Sequence, residues 1–271
     1  MTEKEYRSHP AISRSELWRI HESPEKFKWF REHPPEPTPA FVFGQAVHKL
    51  LLERDDFETE FAVAPNVDRR TKDGKAQWEA FMGQAVGKTV IGLDDFEKAV
   101  MMVEKVTGTP ITARLLNGRH EVPFFWTDEE TGEQCKCRTD ILTVVGGNPV
   151  IVDYKTTTDA RTDIFNNHIY KYGYHLQAAM YTEGVMHAEG MAERPEFWFI
   201  VQEKTAPFSL NVIIVPPDVM LAGLDTYREL LGIYHQCKEM DYWYSYMGPL
   251  GEPNEAYLPG WMQMGVEEDE K

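Results

Sequence analysis

The stretch Ile151–Thr158, IVDYKTTT, is the one around which the rest of the sequence arranges itself. It reads as a short buried strand, Val150-Ile151-Val152, that runs into Asp153, Tyr154 and Lys155 and then a threonine run. Side chains alternate along a strand, so Asp153 and Lys155 leave one face and Tyr154 the other. A carboxylate and an ammonium side by side at a strand end suit metal-assisted phosphate chemistry. The carboxylate can hold a divalent cation while the lysine faces the neighbouring water or phosphate.

At 271 residues the chain can bury a substantial core. Its apolar content of 42% and charged content of 27% are ordinary for a globular protein. No run approaches the length that spans a bilayer, and MTEKEYRSHP lacks the apolar core of a signal peptide. No membrane partner is expected, and the cytoplasm is the expected compartment. Cys135, Cys137 and Cys237 are too few and too scattered for a disulfide framework, which agrees with a reducing environment. A net charge of −16 counts against a nucleic-acid partner at first sight, because phosphates attract Lys and Arg. Net charge is a sum, however, not a map. Acids crowd GVEEDEK and Asp94-Asp95, whereas Arg69, Arg70, Lys72 and Lys75 lie together. A carboxylate-rich metal site would itself add to the negative total.

Outward from the central stretch, the chain predicts alternating helical and extended segments. Ile12 to Phe30 reads as two short helices, with Ser13 or Ser15 as a cap and Pro24 early in the second. HPPEPTP, His33 to Pro39, is a turn. Ala40 to Glu53 is a helix with Gly44 one turn before His48. That glycine suggests close approach by a backbone or a ligand, and a core or interface histidine is the plain alternative for His48. Phe57 to Pro65 is expected to be extended. The basic segment Arg69 to Lys75 is either a solvated loop or a phosphate-contacting arm, and a helix is expected from about Lys75. A further helix covers Asp94 to Thr107, capped by Asp94 or Asp95, and a shorter one ends near Gly118. His120–Thr127, Gln134–Val145 and the strand bearing Asp153 predict an antiparallel meander joined by tight turns. Ala160 to His168 is a short helix or loop, and Lys171 to Glu189 a longer helix on which Gln177 and Tyr181 share a face. A hairpin around Ala206-Pro207 and a helix from Pro217 to about Tyr242 follow. Residues 1–250 are expected to form one domain, and residues 251–271 an acidic, Gly/Pro-containing tail.

On the strand ending CKCRTD, Lys136, Arg138 and Asp140 share a face, and the next turn brings Asp140 beside the strand of Asp153. Asp140 and Asp153, with the Tyr154 carbonyl and His48, form a mixed O/N ligand set for Mg²⁺ that also tolerates Mn²⁺. Glu121 lies on the preceding strand, where a solvent-facing residue is the plain alternative. Such a metal acidifies a bound water and neutralises charge developing on a phosphate, while Lys155 orients or deprotonates that water.

Asp140 followed by Asp153-Tyr154-Lys155 resembles the D…DxK pattern of the PD-(D/E)XK nuclease superfamily. Gly44–His48 (GQAVH), Glu121 and Gln177–Tyr181 (QxxxY) narrow the likeness to its RecB-like branch, and there it is most similar to the RecE-type phage and prophage exonucleases. The resemblance covers roughly Ile12 to Val215. It implies an α/β restriction-endonuclease-like core with a mixed central sheet flanked by helices. It implies His48, Asp140 and Asp153 as metal ligands, Lys155 as the catalytic lysine and Glu121 as a second-metal or water-mediated ligand, with Gln177 and Tyr181 positioning the scissile strand or the lysine. It further implies a Mg²⁺-dependent 5′→3′ exonuclease acting on double-stranded DNA ends in recombination, in a bacterial or phage-infected cell. A homo-oligomeric ring and a RecT-type single-strand annealing partner complete what it implies.

Related nucleases carry an iron–sulfur cluster on four cysteines. Here the dipeptide matching their N-terminal CP is Ser23-Pro24, and the C-terminal region offers only Cys237, so no iron–sulfur cluster is expected. Cys135 and Cys137 are expected to pack in the core, as are Trp18, Trp29, Phe30, Trp78, Trp126, Trp198 and Trp243. Arg69, Arg70, Lys72, Lys75, Arg138, Arg161 and Lys171 are candidate phosphate contacts. The alternatives to an exonuclease are a structure-specific or restriction-type endonuclease, and a catalytically silent DNA-binding module.

Overall fold

Val150-Ile151-Val152 at the start of the central stretch is buried on both faces of the sheet, which is why it reads as an unbroken apolar run. Val150, Val152 and Tyr154 enter one hydrophobic core and Ile151 the other. The computed structural model describes Met1 and residues 3–258, with Glu3 and Lys4 described by their backbones alone.

The elements before the sheet are α1 (Glu3–Ser8), β1 (Ile12–Ser13), α2 (Arg14–Glu22), α3 (Pro24–Glu32) and α4 (Pro39–Leu52). The α4 helix begins where the proline-rich stretch ends. Pro39 sits in its first turn, and the Thr38 hydroxyl accepts the Phe41 N–H at 3.2 Å. A small parallel sheet, β2 (Phe61–Ala64) with β3 (Thr89–Gly92), flanks α6 (Lys72–Gln84). Between α4 and β2 the chain forms a 3₁₀ turn (Arg54–Asp56) and the short α5 (Phe57–Glu60), so the extended reading of Phe57 to Pro65 holds only from Phe61. Phe57 turns back because its ring stacks on Phe61, 5.0 Å away. The α6 helix starts three residues early because Thr71, not a later residue, caps it. In α7 (Leu93–Gly108), Gly92 is the N-cap; Asp94 and Asp95 lie in the first turn, where they face the positive end of the helix dipole.

After α8 (Pro110–Leu115) come β4 (Arg119–Thr127), β5 (Gln134–Val145) and β6 (Asn148–Thr157), the expected antiparallel meander. Next, α9 (Thr162–Lys171) and α10 (Tyr174–Glu189) form a crossover to β7 (Glu196–Glu203), which pairs in parallel with β6. The helix expected from Lys171 begins at Tyr174 instead, and Lys171 ends α9, because Gly173 at φ 66° sets the break. Finally β8 (Leu210–Ile214) pairs antiparallel with β7, and α11 (Pro217–Met240) packs on α10.

The mixed six-stranded sheet separates two cores. One lies under α2, α3, α9, α10 and α11, and the other under α4 and α7. Cys135, Cys137 and Trp126 are buried in the first, as expected, but Trp29 is 58% exposed and stacks on His33. Residues 251–258 are exposed and outside any helix or strand, and the rest of the expected tail, 259–271, lies outside the described residues. Among the described residues no helix is long and apolar enough to cross a membrane.

The packing of α11 on α10 depends on a missing side chain. A Cβ on Gly223 would stand 2.2 Å from the His175 carbonyl oxygen, a backbone atom of α10 that cannot move aside. Gly232, further along the same helix, faces open space. Gly223→Ala is therefore expected to destabilise the protein by about 1–3 kcal/mol through overpacking, whereas Gly232→Ala gains up to about 1 kcal/mol of helix propensity. Urea unfolding of the two variants measures the contrast.

Candidate active site

The site forms where the sheet comes apart. The β5–β6 ladder runs from Val145↔Asn148 to Ile141↔Val152 and stops one pair short of Asp140 and Asp153. The edge of β5 that β6 leaves is taken up again only at Cys135 and Lys136, by β1. In the gap, the Asp140 carboxylate accepts the Tyr154 N–H at 2.8 Å and so replaces the lost strand partner. The other neighbour is distorted at the same level. Pairing of β4 with β5 is in register on both sides of Glu121 but interrupted there, and Glu121 has φ 50°. A left-handed glutamate costs on the order of 1–3 kcal/mol. Side-chain alternation breaks here too: Cys137 and Leu142, an odd number of residues apart, line the same core. The kink turns Glu121 and Asp140 toward α4.

The α4 helix meets them with His48. One ligand atom from each of His48, Glu121 and Asp140 lies within 4.8 Å of the others. The Tyr154 carbonyl can only accept, so His48 donates to it from Nε2 at 2.8 Å. Its Nδ1 faces Asp140 Oδ2, 3.6 Å away. The Tyr154 carbonyl, expected as a ligand, thus orients the imidazole. Gly44 has no close neighbour: a Cβ there would meet only Thr156 Oγ1, at 4.0 Å, so no protein backbone approaches it.

Around the three candidate ligands runs an ion network. Arg138 reaches Glu121 at 2.6 Å and Glu53 at 3.0 Å, and Lys49 reaches Glu53 at 3.0 Å and Glu60 at 2.6 Å. Lys155 lies 2.6 Å from Asp153 Oδ2. Five carboxylates, Glu53, Glu60, Glu121, Asp140 and Asp153, face the three cations Lys49, Arg138 and Lys155. With every one of these groups ionised, two negative charges would remain, which a divalent cation would balance. A nitrogen and two carboxylates at this spacing fit Mg²⁺ or Mn²⁺ with modest closure, since ligands of such an ion stand about 3–4 Å apart.

Asp153, expected as a metal ligand, lies on the other face of β6 from Tyr154. It is 1% exposed and lies on the α10 side of the sheet, where Gln177 donates to Oδ1 and Lys155 pairs with Oδ2. Lys155 in turn sits 4.9 Å over the Tyr174 ring. Tyr181, one turn beyond Gln177, packs beside Phe197 with ring centroids 6.3 Å apart. The structure thus brings His48, Glu121 and Asp140 together on one side of the strand gap, and Asp153, Lys155 and Gln177 on the other.

The candidate phosphate contacts are scattered. Arg138 belongs to the ion network and is largely buried, with its side chain 13% exposed. Arg70 and Arg161 pair with Asp68 and Asp159. Arg69 lies over Trp78, Lys171 lies over Tyr172, and Lys72 and Lys75 begin the exposed α6. Reading the sequence missed Lys49, Glu53, Tyr174 and Arg14. The first two were legible, since His48, Lys49 and Glu53 crowd one helix end with an i,i+4 ion pair. Arg14 was not, because it reaches the site by donating to the Tyr172 and Gly173 carbonyls from a distant α2.

Burial pushes the Glu121 carboxyl up to about 9, and Asp140 and Glu53 add to the rise. Lys49 opposes this, and Arg138, 2.6 Å from Glu121, is shared with Glu53, so the direction is upward. Burial and then Asp153 raise Asp140 as well. A carboxyl raised on folding stabilises its protonated form, so the metal-free protein loses stability as pH climbs from about 4.5 toward 9. Lys155, also raised, titrates above that window. A cation must displace the Glu121 proton. Mg²⁺ or Mn²⁺ affinity is therefore expected to rise by up to about tenfold per pH unit between 7 and 9, and Glu121→Gln to flatten that slope. Titration calorimetry at three pH values measures it.

The site stands beside three comparisons. A family model described as a PDDEXK-like domain of unknown function (DUF3799) matches residues 13–249. No curated protein matches the chain. Among solved structures, that of a candidate exonuclease from Eubacterium rectale is similar in fold, with a TM-score of 0.61 over 97% of each chain at 14% identity. The SSO0001 structure is more distant, with a TM-score of 0.37 at 11% identity over 85% of this chain and 81% of that one, and supports no argument. With the family model spanning most of its length and a mixed sheet whose strands part at Asp140, this chain belongs to the PDDEXK-like family.

Proposed function

We propose that the protein is a metal-dependent deoxyribonuclease that hydrolyses phosphodiester bonds, most similar in activity to the RecE-type exonucleases. The observation that carries this reading is the placement of Asp153 and Lys155 across the strand gap from His48, Glu121 and Asp140. A divalent cation held by His48, Glu121 and Asp140 would supply the charge that neutralises a phosphate and acidifies a water.

The remaining roles follow from this chain's own groups. Burial alone would lower Lys155, but Asp153, Tyr174 and Asp140 outweigh it, and the side chain stays an ammonium. Of the two roles expected of Lys155, orienting the water and stabilising charge on the phosphate is favoured over taking a proton. Gln177 and Lys155 hold both oxygens of Asp153 and fix its direction. His48 keeps one orientation through the Tyr154 carbonyl. Action on duplex ends with 5′→3′ polarity, ring assembly and an annealing partner belong to the same proposal and rest on the resemblance to RecE-type enzymes.

End-labelled linear and closed circular duplex, incubated with the protein in Mg²⁺ or EDTA, test the reading. An exonuclease degrades only the linear DNA, and only with Mg²⁺. Cutting of the circle would indicate an endonuclease, and no cutting of either would contradict hydrolysis. Lys155→Ala and Asp153→Ala are each expected to lower the rate by a factor on the order of 10² or more, with circular dichroism unchanged. Activity retained in both would contradict the assignment.

A further inference from the structure

The turn between α9 and α10 is Tyr172-Gly173, with an aromatic where polar residues are usual. Within His168 to His175, HIYKYGYH, two more tyrosines flank it, Tyr170 in the last turn of α9 and Tyr174 as the first residue of α10. Tyr170 is 51% and Tyr172 42% exposed, so neither is held there by burial. The rings form a ladder that leads away from the site. Lys155 lies over Tyr174, Tyr174 is 5.8 Å from Tyr172, and Tyr172 is 5.3 Å from His168. Lys171 places its ammonium 5.4 Å over the Tyr172 ring.

This turn is fixed in place. Gly173 has φ 66°, and a Cβ on it would lie 2.4 Å from the Trp18 ring. Arg14 donates to both the Tyr172 and Gly173 carbonyls, and its guanidinium stands 5.6 Å over Tyr174. An exposed aromatic presented rigidly beside a lysine loses little freedom when a flat apolar partner stacks on it. With cations beside it, it matches the pattern by which proteins hold single-stranded nucleic acid: stacked bases on aromatic rings and positive groups along the backbone.

We infer that Tyr172, with Lys171 beside it, is a nucleobase-stacking platform that holds an unpaired end of a DNA strand next to Lys155. The inference rests on the nuclease reading and adds to it a substrate form: a frayed or single-stranded terminus in place of an intact base pair. Tyr174 is the inner rung and positions Lys155. Tyr172 is the outer rung and meets the base.

The test uses the full chain in EDTA with a single-stranded oligonucleotide carrying 2-aminopurine as its terminal base. Stacking on Tyr172 quenches the probe. Tyr172→Ala is expected to abolish the quenching and weaken binding by about tenfold or more, while Tyr172→Phe keeps both, since the ring and not the hydroxyl is used. Tyr257→Ala, which removes an exposed tyrosine of the C-terminal stretch, leaves binding unchanged. No quenching by the wild type, or equal quenching by Tyr172→Ala, would overturn the platform. Wild-type protein that cleaves linear DNA yet shows either result loses this inference alone, whereas wild-type protein that cleaves no DNA loses the nuclease reading.

Discussion

One backbone N–H, that of Tyr154, has no strand to pair with where β6 leaves β5, and the Asp140 carboxylate accepts it at 2.8 Å. A hydrogen bond to a charged acceptor contributes about 1.5–3 kcal/mol, and leaving the N–H unmet would cost about as much. The bond therefore decides how the two strands part. It fixes Asp140 at the mouth of the gap and presents the Tyr154 carbonyl to His48. With the kink at Glu121 it turns two carboxylates to the α4 side while Asp153 remains on the α10 side. Cross-strand pairing that continued through Asp140 and Asp153 would leave no opening between them for a ligand.

The charges gathered around this gap do little for stability. Buried carboxylates are costly even when paired, and a left-handed glutamate adds strain. Lys49, Arg138 and Lys155 offset part of this. Native proteins keep such arrangements where a site needs them, and the upward shifts in Glu121 and Asp140 fit a place built to receive a cation. The acidic net charge of the chain thus includes a term that belongs to function, and it does not argue against a phosphate substrate.

Much of this was legible in the sequence because it is local. The turns Asp128–Glu133 and Gly146–Asn148 set the meander, and the meander brings Asp140 toward Asp153. The α4 periodicity places His48 on a helix, and QxxxY puts Gln177 one turn from Tyr181. What was not legible depends on packing between distant segments. Period-two alternation cannot foresee that Cys137 and Leu142 share a core, because the break comes from the kink at Glu121. The hold of Gln177 on Asp153 depends on how α10 lies across the sheet. The place of the break between α9 and α10 was a readable signal passed over, since a glycine between tyrosines invites a left-handed cap. Early ends of helices, as at Thr71 and Gly92, follow from caps whose choice the neighbouring structure makes.

If His48, Glu121 and Asp140 form one cation site at the strand gap, anomalous diffraction from crystals soaked in Mn²⁺ shows a single strong peak in contact with the His48 ring and the carboxylates of Glu121 and Asp140, lost when EDTA is added. Manganese bound elsewhere, with these three side chains unmoved and unliganded, would contradict it.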